Sequence, residues 1–256
     1  MKVYTIIPAR YASTRLPRKM LLNETGKPLI VHTYESALKA KIPQGVCVAT
    51  DNDEIFNAVT SFGGQAIMTS PDCASGTDRL AEVARKMEDV DIFVNVQGDE
   101  PDMNPDTIDR CAQLLINNPD AVMSTMAIPI RIKEKVFDPN CVKVVFNKSG
   151  RAMYFSRSPI PCARTWSDDL LSVSPALYWQ HLGIYAYRRE FLLQLGQMPT
   201  SPIENTEKLE QLRVLDAGYA IMVGQADGCA IGIDTIEDYK EFVAEYNKQL
   251  EVRNEE

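Results

Sequence analysis

The sequence predicts an α/β protein: a mostly parallel sheet flanked by helices, with a smaller mixed or antiparallel sub-region. Three observations carry that expectation. Over residues 1–120, short β-branched runs alternate with segments of helical apolar spacing, the rhythm of strands joined by crossover helices. From residue 121 to 187, strand-like runs follow one another without long helices between them, as in an antiparallel or mixed extension. The chain has 256 residues, 45% hydrophobic and 24% charged, enough for a sizeable core with a deep cleft.

The elements read in order as follows. Val3 to Ile7 is a buried strand, and Leu29 to Lys39 carries apolar residues near helical spacing. Gly45 to Ala49 is a strand, Asp53 to Phe62 a helix, and Gln65 to Met68 a strand. Thr77 to Lys86 is helical, and Asp91 to Val96 (DIFVNV) is a strong strand. Asn104 to Asn117 is a helix with Asn104 as its cap and Pro105 in its first turn. Ala121 to Ile130, Val142 to Phe146, Ala152 to Phe155 and Trp179 to Tyr187 are strand-like. Ser158 to Ala176, rich in Ser, Pro and Asp, is a loop or lid. Glu204 to Ala217 returns to helix and stops at Gly218, a suitable C′ glycine. A short strand and a helix from Thr235 to about Val252 follow. No repeat or low-complexity segment interrupts residues 1–256, which read as one domain with a sub-region.

Charge narrows the function. The 27 basic and 35 acidic residues leave a net charge of −8, which argues against a nucleic-acid binder, since these need a basic face. Anionic substrates stay open wherever positive charge is concentrated locally. Cys47, Cys73, Cys111, Cys141, Cys162 and Cys229 form no CxxC pair, so reduced thiols in a reducing compartment are expected. There is neither a secretory h-region nor a run of about 18 apolar residues, which points to a cytoplasmic protein without membrane insertion.

In a parallel sheet, ligands bind at the carboxyl ends of strands. After the first strand comes PARYASTRLPRKM, with Arg10, Arg15, Arg18 and Lys19 and no acid before Glu24. Small residues Ala9, Ala12, Ser13 and Thr14 allow close backbone approach and offer donors. Guanidinium forks and an ammonium suit phosphate oxygens, so the loop reads as a polyphosphate cradle; its bland alternative is a solvated basic loop. It is neither a Walker loop nor G-x-G-x-x-G. After DIFVNV comes Gln97-Gly98-Asp99-Glu100, where Asp99 is placed either to hold Mg²⁺ or to stabilise a turn. Asp234, in GIDT, is a second strand-end carboxylate or the cap of the last helix. Two such carboxylates beside a basic loop point to metal-assisted nucleotidyl transfer. The clusters around Arg157, His181 and Tyr185 suit a polyhydroxylated acid. His32, on an apolar helix, reads as structural, and Glu204 to Arg213 reads either as part of that recognition or as a solvated helix face with pairs such as Glu204–Lys208.

IPARYASTRLP (7–17), ATD (49–51), SGTDRLAEV (75–83), VNVQGDEP (94–101), VKVV (142–145), YFSR (154–157), HLGIYAYR (181–188), LEQLRVL (209–215) and GIDTIEDY (232–239) together resemble the 3-deoxy-manno-octulosonate (Kdo) cytidylyltransferases, the CMP-Kdo synthetases. The likeness runs from residue 3 to about 245. It implies a Rossmann-like nucleotidyltransferase fold, a homodimer, and Mg²⁺ as cofactor, with CTP and Kdo giving CMP-Kdo and pyrophosphate for lipopolysaccharide biosynthesis. Residues 120–200 would contribute to sugar binding and dimerisation. Carried over by motif, Ala9, Arg10, Arg15 and Lys19 would hold the triphosphate. Ala49, Thr50, Ser75, Gly76 and Arg79 would line the cytosine and ribose pocket, and Asp99 and Asp234 would bind the metal. Gln97, Arg157, His181, Tyr185, Glu210 and Gln211 would contact the sugar acid; Arg10, Arg15, Lys19 and Asp99 are the catalytic set.

Two positions depart from the family pattern. Arg18 stands where RLPGKPL carries glycine, and Asn205 stands where EHIEMLEQLR carries histidine. The second bears on the acceptor, so an 8-amino-Kdo or a nonulosonic acid such as N-acetylneuraminate is the alternative substrate. A nucleotide-binding module without catalysis is the more distant alternative.

Overall fold

The computed structural model describes residues 1–12, 15–73, 75–228 and 230–255, with side chains to residue 251. Ser13 and Thr14 of the basic loop, and Cys229, lie outside the described residues. The first half alternates as expected: β1 (Val3–Ala9), α1 (Leu29–Ala37), β2 (Val46–Thr50), α2 (Asp53–Ser61), β3 (Ala66–Met68), α3 (Gly76–Lys86), β4 (Ile92–Asn95) and α4 (Pro105–Asn117). Local chemistry sets the helix starts. Asn52 accepts from the amides of Glu54 and Ile55, Ser75 and Asp78 form a reciprocal capping box, and Asn104 caps α4 with Pro105 behind it.

The second half holds β5 (Met123–Pro129), α5 (Lys133–Phe137), β6 (Lys143–Phe146), β7 (Ala152–Ser156), β8 (Trp179–Arg188), α6 (Arg189–Leu195), α7 (Pro202–Glu207), α8 (Gln211–Asp216), β9 (Ile221–Gln225) and α9 (Ile236–Glu255). The sheet runs β3-β2-β1-β4-β8-β5-β9, with β6 and β7 as a hairpin attached to β8. Strands β1 to β4 pair in parallel and β9 pairs in parallel with β5, whereas β8 is antiparallel to both β4 and β5. The mixed sub-region is therefore threaded through the middle of the sheet by one reversed strand. Alternating residues feed two cores: Ile92, Val94 and Val96 join one face, while Phe93 joins Tyr187 and Leu212 on the other.

Three expectations need correction. The single helix from Glu204 to Ala217 is two helices, because Lys208 adopts a left-handed conformation with φ +54°. The Glu204–Lys208 pair does not form; Glu204 instead takes two hydrogen bonds from Arg213, at 2.6 and 2.8 Å, in a half-closed pocket that also completes the Ser201 capping box. The short helices α5 and α6 were not expected, being too short to show a 3.6-residue period. Gly218 does follow the end of α8 with φ +81°, as a C′ glycine should. Cys47, Cys73, Cys111 and Cys162 are free thiols. Residues 158–176 form a loop with one 3-10 turn, Asp168–Leu171, fastened by Arg131 to the carbonyls of Leu171 and Val173.

Candidate active site

The cleft opens at the carboxyl ends of β1 and β4, with a volume of about 390 Å³. Arg10 and Arg15 come from the loop after β1, Gln97, Gly98 and Asp99 from the loop after β4, and Asp234 from the segment before α9. Gly98 is required there: a Cβ would stand 3.0 Å from the Pro8 carbonyl oxygen. The two sides are tied by the main chain, since the Ile233 amide donates to the Asp99 carbonyl at 2.9 Å. That bond carries Asp234 to Asp99.

Lys19 is the centre of charge. It starts a short 3-10 turn, Lys19–Leu21, and is only 7% exposed. Its ammonium donates to Asp99 Oδ2 at 2.6 Å and to Asp234 Oδ1 at 3.2 Å, and Arg15 meets the same Asp234 oxygen at 3.0 Å. Two carboxylates thus converge on one cation. A site of two hard oxygen donors open to a cleft suits Mg²⁺, which fills the rest of its shell with phosphate and water oxygens. Among the described residues no group of three or more His, Cys, Asp or Glu is arranged to hold an ion by itself. Beside Asp99, burial pushes the Glu100 carboxyl up to about 8, with the Asp99 charge adding to the effect.

Arg18 occupies a left-handed position with φ +57°, the conformation a glycine takes most easily. Its guanidinium pairs with Glu54 at the start of α2 and lies 5.8 Å from the Tyr11 ring centre. It faces α2 and does not line the cleft.

The residues expected around the base sit deeper. Ala49 and Thr50 are wholly buried at the strand ends, as is Ala9, which was expected at the triphosphate, and Arg79 is fully buried beneath them. Arg79 donates to Asp51 at 2.7 Å and to the Thr69 hydroxyl, and its Nε has no partner. Ser75 and Gly76 are on the accessible rim at the start of α3. The structure therefore gathers Arg10, Arg15, Lys19, Gly76, Gln97, Asp99 and Asp234 into one cleft and places Ala49, Thr50 and Arg79 in its foundations.

A second polar cluster lies on the other side of β8. Gln97 links the two, donating to the Gly183 carbonyl at 3.2 Å. His181 shares a hydrogen bond with the Thr125 hydroxyl at 3.1 Å and sits between Phe155, edge-on at 5.1 Å, and a tilted Tyr185 at 5.3 Å. Burial lowers its pKa to about 3, so the ring is neutral. Glu210 accepts from Thr77 at 2.6 Å, its carboxyl pushed up by burial, and Gln211 Nε2 is buried without a partner. Arg157 is anchored to the carbonyls of Glu207 (2.7 Å) and Pro139 (3.0 Å).

Several supporting residues escaped the sequence reading. Lys143 is completely buried, and its ammonium donates to the carbonyls of Asp138, Cys141 and Arg157 at 2.8, 2.6 and 2.5 Å. A lone lysine inside VKVV is the signal that could have found it. Asp51 and Thr77 stand within quoted motifs, ATD and SGTDR, but serve as partners of Arg79 and Glu210. His32 is structural, as expected, bonding Thr25 and meeting Phe242 and Tyr246 edge-on.

Comparison with known proteins then decides the family. The cytidylyltransferase family model matches residues 4–221. The 3-deoxy-manno-octulosonate cytidylyltransferase of Rhodopirellula baltica is 50% identical over 97% of this chain and 100% of its own. This chain belongs to the 3-deoxy-manno-octulosonate cytidylyltransferase family. Its namesake from Geotalea daltonii is 49% identical over 92% of this chain and 94% of that relative. A solved CMP:2-keto-3-deoxy-manno-octonic acid synthetase complexed with CTP superposes with TM-score 0.89 and 42% identity, over 97% of this chain and 100% of that one. A cytidylyltransferase from Leptospira borgpetersenii, 18% identical with TM-score 0.60, shares the fold alone. The α/β nucleotidyltransferase fold expected of the family is the fold observed.

Proposed function

We propose that this protein transfers the cytidylyl group of CTP to Kdo, giving CMP-Kdo and pyrophosphate for lipopolysaccharide biosynthesis. The observation that carries the reading is the convergence of Asp99 and Asp234 on Lys19 at the mouth of a basic cleft, in a chain of this family. Arg10, Arg15 and Lys19 hold the triphosphate through charge-assisted hydrogen bonds. Asp99 and Asp234 would hold Mg²⁺, which would supply positive charge against the departing pyrophosphate. The anomeric hydroxyl of the sugar attacks the α-phosphorus, the new P–O bond forms as the bond to pyrophosphate breaks, and the hydroxyl proton is lost to solvent.

Ser75 and Gly76 on the rim, with Arg79 and the backbone of Ala49 and Thr50 beneath them, receive the cytidine. Gln97, Arg157, His181, Tyr185, Glu210 and Gln211 receive the acid sugar. Asn205 is exposed and donates to the Thr200 hydroxyl at 3.2 Å.

The protein works as a cytoplasmic homodimer. The exposed Ile132, Phe137 and Val173 of the sub-region support association, and no helix is long and apolar enough to cross a membrane. Pyrophosphate release with CTP and Mg²⁺, run in parallel with Kdo, 8-amino-Kdo and N-acetylneuraminate, tests the reading. Release with Kdo that stops on chelation is expected; release only with another acid, or with none, overturns it.

A further inference from the structure

The amide of Asn95 has no place in the reading so far. Asn95 is the last residue of β4 and is 4% exposed, yet its Oδ1 has no hydrogen-bond partner. Buried polar atoms are nearly always paired, so an orphan acceptor at a strand end, two residues before the cleft-lining Gln97, asks for a donor from outside the chain. Its neighbours say which donor. Asn95 pairs directly across the antiparallel ladder with Tyr185, and Tyr185 pairs on its other side with Thr125. Residues directly opposite in such a ladder project from the same face. Asn95, Tyr185 and Thr125 therefore form one polar row, on the face where Thr125 bonds His181 and where Tyr185 feels the Glu210 charge. The next residue after Glu210 is Gln211, whose Nε2 is the complementary orphan: a buried donor without an acceptor.

We propose that Asn95 is a specificity-determining residue of the acid-sugar pocket, its amide oxygen accepting from a hydroxyl of the acceptor while Gln211 donates to a neighbouring oxygen. A hydroxyl-bearing acceptor supplies such groups, so Asn95 favours a polyhydroxylated chain. This rests on the cytidylyltransferase reading above.

The test replaces Asn95 with leucine, which keeps much of the volume and removes the orphan. In Asn95→Leu, KM for Kdo rises about tenfold, as for one lost hydrogen bond, while KM for CTP holds. The urea midpoint does not fall, because no internal bond is lost. Single-deoxy analogues of Kdo give the second measurement, made on the unaltered enzyme. One analogue loses about tenfold in kcat/KM with wild type and loses nothing further with Asn95→Leu. Unchanged KM for Kdo, parallel rises for Kdo and CTP, or a wild type indifferent to every deoxy analogue overturns the role of Asn95 while wild-type turnover of Kdo stands. Absence of wild-type turnover overturns both this inference and the function on which it rests.

Discussion

The Lys19 ammonium lies 2.6 Å from Asp99 and 3.2 Å from Asp234, so a single buried cation holds together two carboxylates 135 residues apart in the chain. Asp99 and Asp234 would be the two oxygen donors of the proposed Mg²⁺ site, with the Lys19 ammonium between them.

Replacing Asp99 with asparagine keeps the volume and removes one metal donor. Changes one shell further out commonly cost 10–100-fold, so the loss of a ligand is expected to cost at least about a hundredfold in kcat/KM. Pyrophosphate release measures it, with near-ultraviolet circular dichroism to show the fold retained. Near-normal turnover would remove Asp99 from the metal site.

Arg15 is mostly exposed and, among the described residues, pairs with Asp234. Arg15→Ala should raise KM for CTP about 10–100-fold, the worth of a charge-assisted hydrogen bond, and affect KM for the sugar less. Initial rates with each substrate varied in turn decide it, and an unchanged KM for CTP would dissolve the cradle.

Arg79 is the reverse case, a fully buried cation on Asp51 and Thr69. Arg79→Met strands Asp51 and should destabilise the fold by about 3–5 kcal/mol in urea, whatever else it does to nucleotide binding. A loss under about 1 kcal/mol would mean that the pair contributes little.

His181 sets a pH dependence. Burial holds its pKa at about 3 in the folded protein, against about 6.5 when unfolded. Between those values the unfolded chain carries the extra proton, so stability falls as pH drops below about 6.5, by at most about 1.4 kcal/mol per pH unit. His32 is shifted in the same direction by burial. Glu100, raised to about 8, has the opposite sign and loses stability as pH rises from about 4.5. Comparing urea midpoints of wild type and His181→Gln at pH 4.5 and 6.5 isolates the histidine; parallel pH slopes would contradict its burial.

Much of this was legible in the sequence, and the limits have physical causes. β-Branched runs and side-chain caps are local signals, so β1, β2, β4, α2 and α4 were placed within a few residues. The Arg10–Lys19 loop and Asp99 followed from the rule that strand ends bind ligands. The kink at Lys208 was hidden because no glycine marks it, and the Glu204–Arg213 bond that replaces the expected pair joins two separate helices. The insertion of β8 between β4 and β5 is likewise a non-local pairing that no run of residues encodes by itself. Burial of Ala49, Thr50 and Arg79 is set by packing, which a motif does not reveal. Arg18 was noted as a departure from glycine, and the structure shows the cost absorbed by Glu54 and Tyr11.

The Ile233–Asp99 main-chain bond has a consequence for how the enzyme is made. Asp234 lies 215 residues beyond Lys19 and reaches the cleft only when that late segment docks on the loop after β4. During translation the earlier strands emerge with the basic loop and one carboxylate. The cleft gains its second carboxylate only when the closing segment arrives, so an interrupted or clipped product lacks that wall of the cleft.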